Sequence, residues 1–173
     1  MNTGVEAADS AIKLARKWGY KVKKIPKNCA KIIFCEGNFW GRSLGAVSSS
    51  TDTKCYENYG PFVPNFVNIP YNCIEELEEK LKDPNVAAFM LEPIQGEAGV
   101  VVPCEGYLSR VREICTKQNV LMICDEIQTG LGRTGRRLCV DHEKVRPDIV
   151  TLGKALSGGL YPVIALCLIL QCW

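Results

Sequence analysis

Val86-Ala87-Ala88-Phe89-Met90-Leu91, followed at once by Glu92-Pro93, is the stretch on which the fold turns. Six apolar residues without polar alternation suit a strand buried on both faces, and the proline marks its end. Working outward, the pattern recurs. Lys31-Ile32-Ile33-Phe34-Cys35, Val120–Cys124, Asp148–Leu152 and the final run Val163–Leu170 are further strand candidates. Helical text lies between them. Thr3 can cap a helix that starts near Gly4, and Glu6 three residues on completes a capping box. Val5, Ile12, Ala15 and Trp18 then share one apolar face. Asn72 is expected to cap a helix over Ile74–Leu81, ended by Asp83-Pro84, and Tyr107–Gln118 reads as an amphipathic helix. The Gly-, Ser-, Asn- and Tyr-rich stretch from Gly37 to Pro64 reads mostly as loop. Doubly apolar strands alternating with helices predict an α/β fold with a mostly parallel sheet.

Composition narrows the function. The chain has 173 residues, 47% hydrophobic and 23% charged, which suits a globular domain or part of one. A net charge of +2 is too mild for a nucleic-acid footprint. Ten cysteines include no C-x-x-C pair and His142 is the only histidine, so zinc fingers, c-type haem attachment and a His-based hydrolase are disfavoured, and no metal site is expected. The start carries no secretory or transit-peptide pattern, and the cysteines are therefore expected as reduced thiols, with Cys124 a small core residue. The run Val163–Leu170 is too short to span a bilayer as a helix. It reads as a buried strand after which the chain stops, the expected mark of a domain cut short.

Parallel sheets bind ligands outside the carboxyl ends of their strands. Four such ends carry chemistry: Glu36-Gly37-Asn38-Phe39-Trp40-Gly41-Arg42, Glu92-Pro93-Ile94-Gln95-Gly96-Glu97, Asp125-Glu126-Ile127-Gln128-Thr129-Gly130 and Gly153-Lys154-Ala155-Leu156-Ser157-Gly158-Gly159. The helix start at Thr3-Gly4-Val5 adds an anion-binding terminus. Each piece has an ordinary reading. A loop lysine is usually solvated, an Asp at a strand end is usually a turn former, and a loop aromatic usually packs. Their joint placement on the ligand-binding edge favours a pyridoxal-phosphate site. A lysine supplies the amine that bonds the cofactor, a carboxylate holds the pyridine nitrogen protonated, an aromatic ring stacks, a helix N-terminus takes the phosphate, and an arginine takes a substrate carboxylate.

These residues resemble the class III, fold type I PLP-dependent aminotransferases. The likeness rests on Asn2-Thr3-Gly4-Val5-Glu6-Ala7, Gly37-Asn38-Phe39-Trp40-Gly41-Arg42, Glu92-Pro93-Ile94-Gln95-Gly96-Glu97-Ala98-Gly99, Asp125-Glu126-Ile127-Gln128-Thr129-Gly130 and Leu152-Gly153-Lys154-Ala155-Leu156-Ser157-Gly158-Gly159. It covers residues 1–163, with 164–173 a divergent apolar tail. It implies a three-layer αβα sandwich that is part of the large domain of such enzymes. By the same resemblance Lys154 bonds PLP and moves the proton, Asp125 pairs with the pyridinium, Gln128 bonds the phenolic oxygen and Phe39 stacks. The Gly4 and Val5 backbone holds the phosphate, Arg42 binds a substrate carboxylate, and Glu97 pairs with an arginine of a C-terminal domain. The Asn38–Arg42 segment points to members that pass the δ-amino group of L-ornithine to 2-oxoglutarate, giving glutamate semialdehyde and glutamate. Another class III ω-aminotransferase and a non-catalytic truncated product are the alternatives.

The resemblance also implies a homo-oligomer in the mitochondrial matrix, acting on small molecules with no nucleic acid or membrane partner. Aromatic substrate contacts, the partner of Glu97 and a threonine lent by a neighbouring subunit are expected outside these 173 residues. Weak PLP binding, little turnover and an uncovered apolar edge at Ile164–Leu170 are therefore expected of the chain alone.

Overall fold

The computed structural model describes residues 1–168 of the 173. The elements in chain order are α1 (Gly4–Lys21), β1 (Lys31–Cys35), α2 (Leu44–Val47), α3 (Thr53–Tyr56), β2 (Phe66–Ile69), α4 (Ile74–Lys80), β3 (Val86–Leu91), α5 (Tyr107–Lys117), β4 (Leu121–Asp125), β5 (Ile149–Leu152) and β6 (Ala165–Leu168). Short 3-10 turns lie at Cys139–Glu143 and Lys154–Ser157. The six strands form one sheet in the order β2-β1-β3-β4-β5-β6, parallel except for β6, which runs antiparallel to β5.

Successive strand residues point to opposite faces, so the sheet builds two cores. Ile33, Cys35, Phe89, Leu91, Met122 and Cys124 pack on one face with Leu77 of α4 and with Leu108 and Val111 of α5. Ile32, Phe34, Met90, Leu121, Ile123 and Ile149 pack on the other with Ala8, Ala11, Ile12, Ala15 and Trp18 of α1. The arrangement is the expected αβα sandwich. Phe34 and Phe89 are 0% exposed, each adding roughly 1.5–3 kcal/mol of burial. The central strands are long apolar runs because both of their faces are covered.

The start of α1 follows from its sequence. The Glu6 carboxylate accepts from the Asn2 and Thr3 backbone N–H groups at 2.8 Å each, and Glu6 N–H donates to the Thr3 carbonyl at 3.1 Å. That leaves the Gly4 and Val5 N–H groups, which have no intrahelical acceptor, at the open end of the helix.

Several expectations need correction. The N-cap of α4 is Cys73, not Asn72. Asn72 sits at φ +60 and bonds Cys104 instead, accepting from its N–H at 3.0 Å. Strand β2 was not expected: it has only four residues, interrupted by Asn68, and three are half-buried. The Gly37–Pro64 stretch is mostly irregular but includes the single turns α2 and α3. The described part of the final run, through Leu168, is not a buried strand. Ile164 is buried, but β6 passes from half-buried to exposed, since among the described residues it is the outer strand with one neighbour. Residues 169–173 of the expected tail lie outside the described residues. The nine described cysteines are free thiols and Cys124 is 0% exposed. No described helix is long and apolar enough to cross a membrane.

Candidate active site

The chain leaves β1 to form β2 on one side and then crosses to form β3 on the other, so the loops after β1 and β3 diverge. A crevice opens where they part, outside the carboxyl ends of the strands. It is a cleft of about 330 Å³ lined by Thr3, Gly4 and Val5 of the α1 start, Phe39, Trp40 and Gly41 after β1, Glu92 and Glu97 after β3, Asp125, Ile127 and Gln128 after β4, and Lys154 and Ile164. Seven of the eight residues singled out from the sequence therefore meet in one place. The eighth, Arg42, is not in the lining. It is exposed beside it, its guanidinium carbon 6.0 Å from the Phe39 ring centroid, within cation–π range.

Asp125 is the last residue of β4 and is 5% exposed. Its Oδ1 accepts from the Ile127 N–H at 3.0 Å and from the Thr151 hydroxyl at 3.0 Å. Register supplies the second bond, since Thr151 of β5 lies opposite Asp125 in the ladder. Burial pushes the Asp125 acid up to about 6, held in check by those two bonds and by the Lys154 charge. The carboxylate is thus desolvated yet still ionised near neutrality, as pairing with a buried cation requires.

Lys154 follows β5 at φ +39, a left-handed backbone that non-glycine residues avoid. Its predecessor Gly153 is packed so closely that a Cβ there would lie 2.2 Å from Ile164 Cδ1. Strain of this kind, roughly 1–3 kcal/mol, persists where the surroundings over-determine it and gathers at functional positions. Gly41 has a similar constraint: at φ +141, a Cβ would meet Val5 Cβ at 2.6 Å. The loop after β1 can approach the α1 terminus only because that side chain is missing. At Gly96 a Cβ would sit 1.4 Å from Gln128 Oε1, so the glycine makes room for the amide at the cleft.

Phe39 and Trp40 part company. The Trp40 indole turns inward, 6% exposed, donating to the Ser49 hydroxyl at 2.7 Å and stacking on Phe34 at 6.1 Å between centroids. Phe39 remains half-buried at the cleft. Two residues carry no role from the sequence: Thr151, whose only signal is its place three residues before Lys154, and Glu92, whose signal is its position immediately after a buried strand. Glu126 is 1% exposed and is spent on structure, accepting from Thr129 Oγ1 and from the N–H groups of Cys139 and Val140.

Residues 1–168 match the family described as Aminotransferase class-III. Ornithine aminotransferase, mitochondrial, of Rattus norvegicus is 70% identical over 165 residues, 95% of this chain and 38% of that protein. The Drosophila melanogaster protein of the same name is 67% identical over the same share of each. The crystal structure of the ornithine aminotransferase of Toxoplasma gondii ME49 superposes with a TM-score of 0.95 at 60% identity, covering 96% of this chain and 39% of that one. The chain thus spans about two fifths of the length of these relatives. With a family match along its described length and a closely superposing fold, this chain belongs to the class III aminotransferases, a family that works with pyridoxal 5'-phosphate.

Proposed function

We propose that this chain carries the cofactor half of a PLP-dependent aminotransferase site, acting on ornithine with 2-oxoglutarate as acceptor. One observation carries the reading: Lys154, Asp125, Gln128, Phe39 and the open N-terminus of α1 all line a single cleft. The cleft suits a flat, charged ring with an anionic arm. It has a buried acid whose ionisation is held by two hydrogen bonds, an aromatic wall, and a helix start made accessible by Gly4 and Gly41.

PLP, when bound, supplies an electron sink for the carbon that loses its proton. The protein's part is to hold and to move protons. Lys154 Nζ would supply the amine that bonds the cofactor and the base that takes the proton from the substrate carbon and returns it. Asp125 would hold a proton on the ring nitrogen by ion pairing. Phe39 would support the ring plane and exclude water from one face. Gln128 would offer its amide to the ring oxygen, and the Gly4 and Val5 N–H groups would hold the phosphate. At the rim, exposed Arg42 offers a fork for a substrate carboxylate and Glu97 a counter-charge.

The ornithine assignment draws on the relatives named ornithine aminotransferase at 67–70% identity. Because the rat and fly relatives are named mitochondrial, the same compartment is proposed here. Leu160, 93% exposed, and Tyr161, 64% exposed, follow the Lys154 turn and suit burial against a second copy of the chain. Residues 1–163 are read as part of the cofactor-binding large domain.

The test is spectroscopic. The wild-type chain titrated with PLP should develop the visible band of a lysine-bound cofactor, and Lys154→Ala should not. Ornithine should bleach the band only slowly, and 2-oxoglutarate restore it slowly, because part of the substrate site is expected outside this chain. A band that responds to 4-aminobutyrate or acetylornithine but not to ornithine would move the assignment to another ω-amine. Equal spectra for wild type and Lys154→Ala would sink the cofactor reading.

A further inference from the structure

The cleft holds a second buried carboxyl group that the chemistry above does not use. Glu92 follows the last residue of β3, is 9% exposed and lines the cleft with Asp125 and Lys154. Its main chain is fixed from behind. The Tyr71 hydroxyl donates to the Glu92 and Pro93 carbonyl oxygens, at 3.0 and 2.9 Å. Its side chain reaches across to the neighbouring loop, where Oε1 accepts the Phe39 backbone N–H at 3.0 Å.

That N–H lies in an irregular stretch between β1 and α2 and has no ladder or helix to bond. The residues on either side are anchored independently. Asn38 Nδ2 donates to the Cys35 and Ser49 carbonyls at 2.7 Å each, and Trp40 is locked into the core through Ser49. With both neighbours fixed, the Phe39 peptide is the remaining freedom of the loop, and Glu92 removes it. On the cofactor reading proposed above, we propose that Glu92 is a positioning residue, whose buried carboxyl fixes the Phe39 backbone and thereby sets the aromatic wall against which the cofactor ring rests.

The electrostatics agree with this geometry. Burial pushes the Glu92 acid up to about 8, opposed by the Phe39 bond and Lys154 and reinforced by Asp125 from β4 and Glu97 from its own loop. The other titratable groups near it, Tyr71 and Cys35, are themselves driven upward by burial, so both stay neutral. Asp125, at about 6, ionises first. Near neutral pH the two carboxyls therefore divide their tasks: Asp125 is charged for the ring nitrogen, and Glu92 is protonated, accepting from Phe39 without placing a second negative charge beside the cofactor. Raising the pH through about 8 would ionise Glu92 and weaken cofactor binding.

The experiment compares PLP affinity, read from the lysine-dependent visible band, for wild type, Glu92→Gln and Glu92→Ala across that pH range. Melting of the ligand-free proteins serves as the control for folding. Wild type should lose affinity as the pH passes about 8. Glu92→Gln keeps an acceptor oxygen but cannot ionise, so it should bind like wild type at neutral pH and lose the pH step. Glu92→Ala orphans a buried N–H and should bind about tenfold more weakly than wild type at neutral pH, with no step near pH 8. Glu92→Ala binding as wild type does, Glu92→Gln as weak as Glu92→Ala, or a pH step that survives in Glu92→Gln would each overturn the inference. Should Glu92→Ala not fold, the Glu92→Gln profile decides alone. Absence of the band in wild type would overturn the cofactor reading and this inference with it. A normal band with unaltered variants would overturn only this one.

Discussion

Replacing Thr151 by Val isolates the control of Asp125. Valine keeps the shape of threonine and the strand backbone, and the Glu126 N–H to Thr151 carbonyl bond at 3.0 Å is untouched. What is lost is one hydroxyl that donates at 3.0 Å to a buried carboxylate. A hydrogen bond to a charged group contributes about 1.5–3 kcal/mol. At 1.36 kcal/mol per pKa unit, its loss should raise Asp125 from about 6 by roughly one to two units. At pH 7 the ionised fraction then falls from about nine tenths to between about a half and a tenth. If only the ionised acid holds the protonated ring nitrogen, PLP affinity at that pH should fall about two- to ninefold. The deficit relative to wild type at the same pH should close as the pH is raised. The assay is PLP titration followed by visible absorbance at a series of pH values, with Thr151→Ser as the hydroxyl-restoring control. A Thr151→Val profile with the wild-type midpoint, or a Thr151→Ser profile equal to that of Thr151→Val, would refute the reasoning.

Two further outcomes follow from the same geometry. Asp125 has a folded-state value of about 6 against an ordinary 3.8, so the folded chain holds the proton more tightly than the unfolded one between those values. Stability therefore declines as pH rises through that window and stays reduced above it, and Asp125→Asn should stabilise the ligand-free chain at pH 7 by up to about 3 kcal/mol, measured by urea unfolding. An unchanged midpoint would show that the acid pays no desolvation cost. Gly96→Ala places a methyl where the flexible end of Gln128 now lies. The amide should swing away at a cost to melting within about 1 kcal/mol, while the visible spectrum of bound PLP shifts. A spectrum identical to wild type would remove Gln128 from the cofactor's contacts.

Much of the fold could be read from local text. The runs at Lys31–Cys35 and Val86–Leu91 match the observed strands, because a strand covered on both faces is filled mostly by apolar residues. Strand β2 escaped because an outer strand with half-buried residues need not be continuously apolar, and Asn68 breaks the pattern. Asn72 misled because its side chain bonds Cys104, a partner 32 residues away that no local rule anticipates.

The sequence by itself determined which residue types stand at the strand ends, and parallel strands bring all of those ends to one edge of the sheet. That sufficed to gather Asp125, Gln128, Lys154, Phe39 and the α1 start into one candidate site. Tertiary structure alone decided how those groups behave. The Thr151 hydroxyl reaches Asp125 only through the β4–β5 register, and Glu92 meets the Phe39 N–H across 53 residues. The division of charge between two carboxyls depends on how completely each is stripped of water. Desolvation and cross-strand hydrogen bonding are properties of the packed molecule, fixed by neighbours distant in the chain, and no local spacing encodes them.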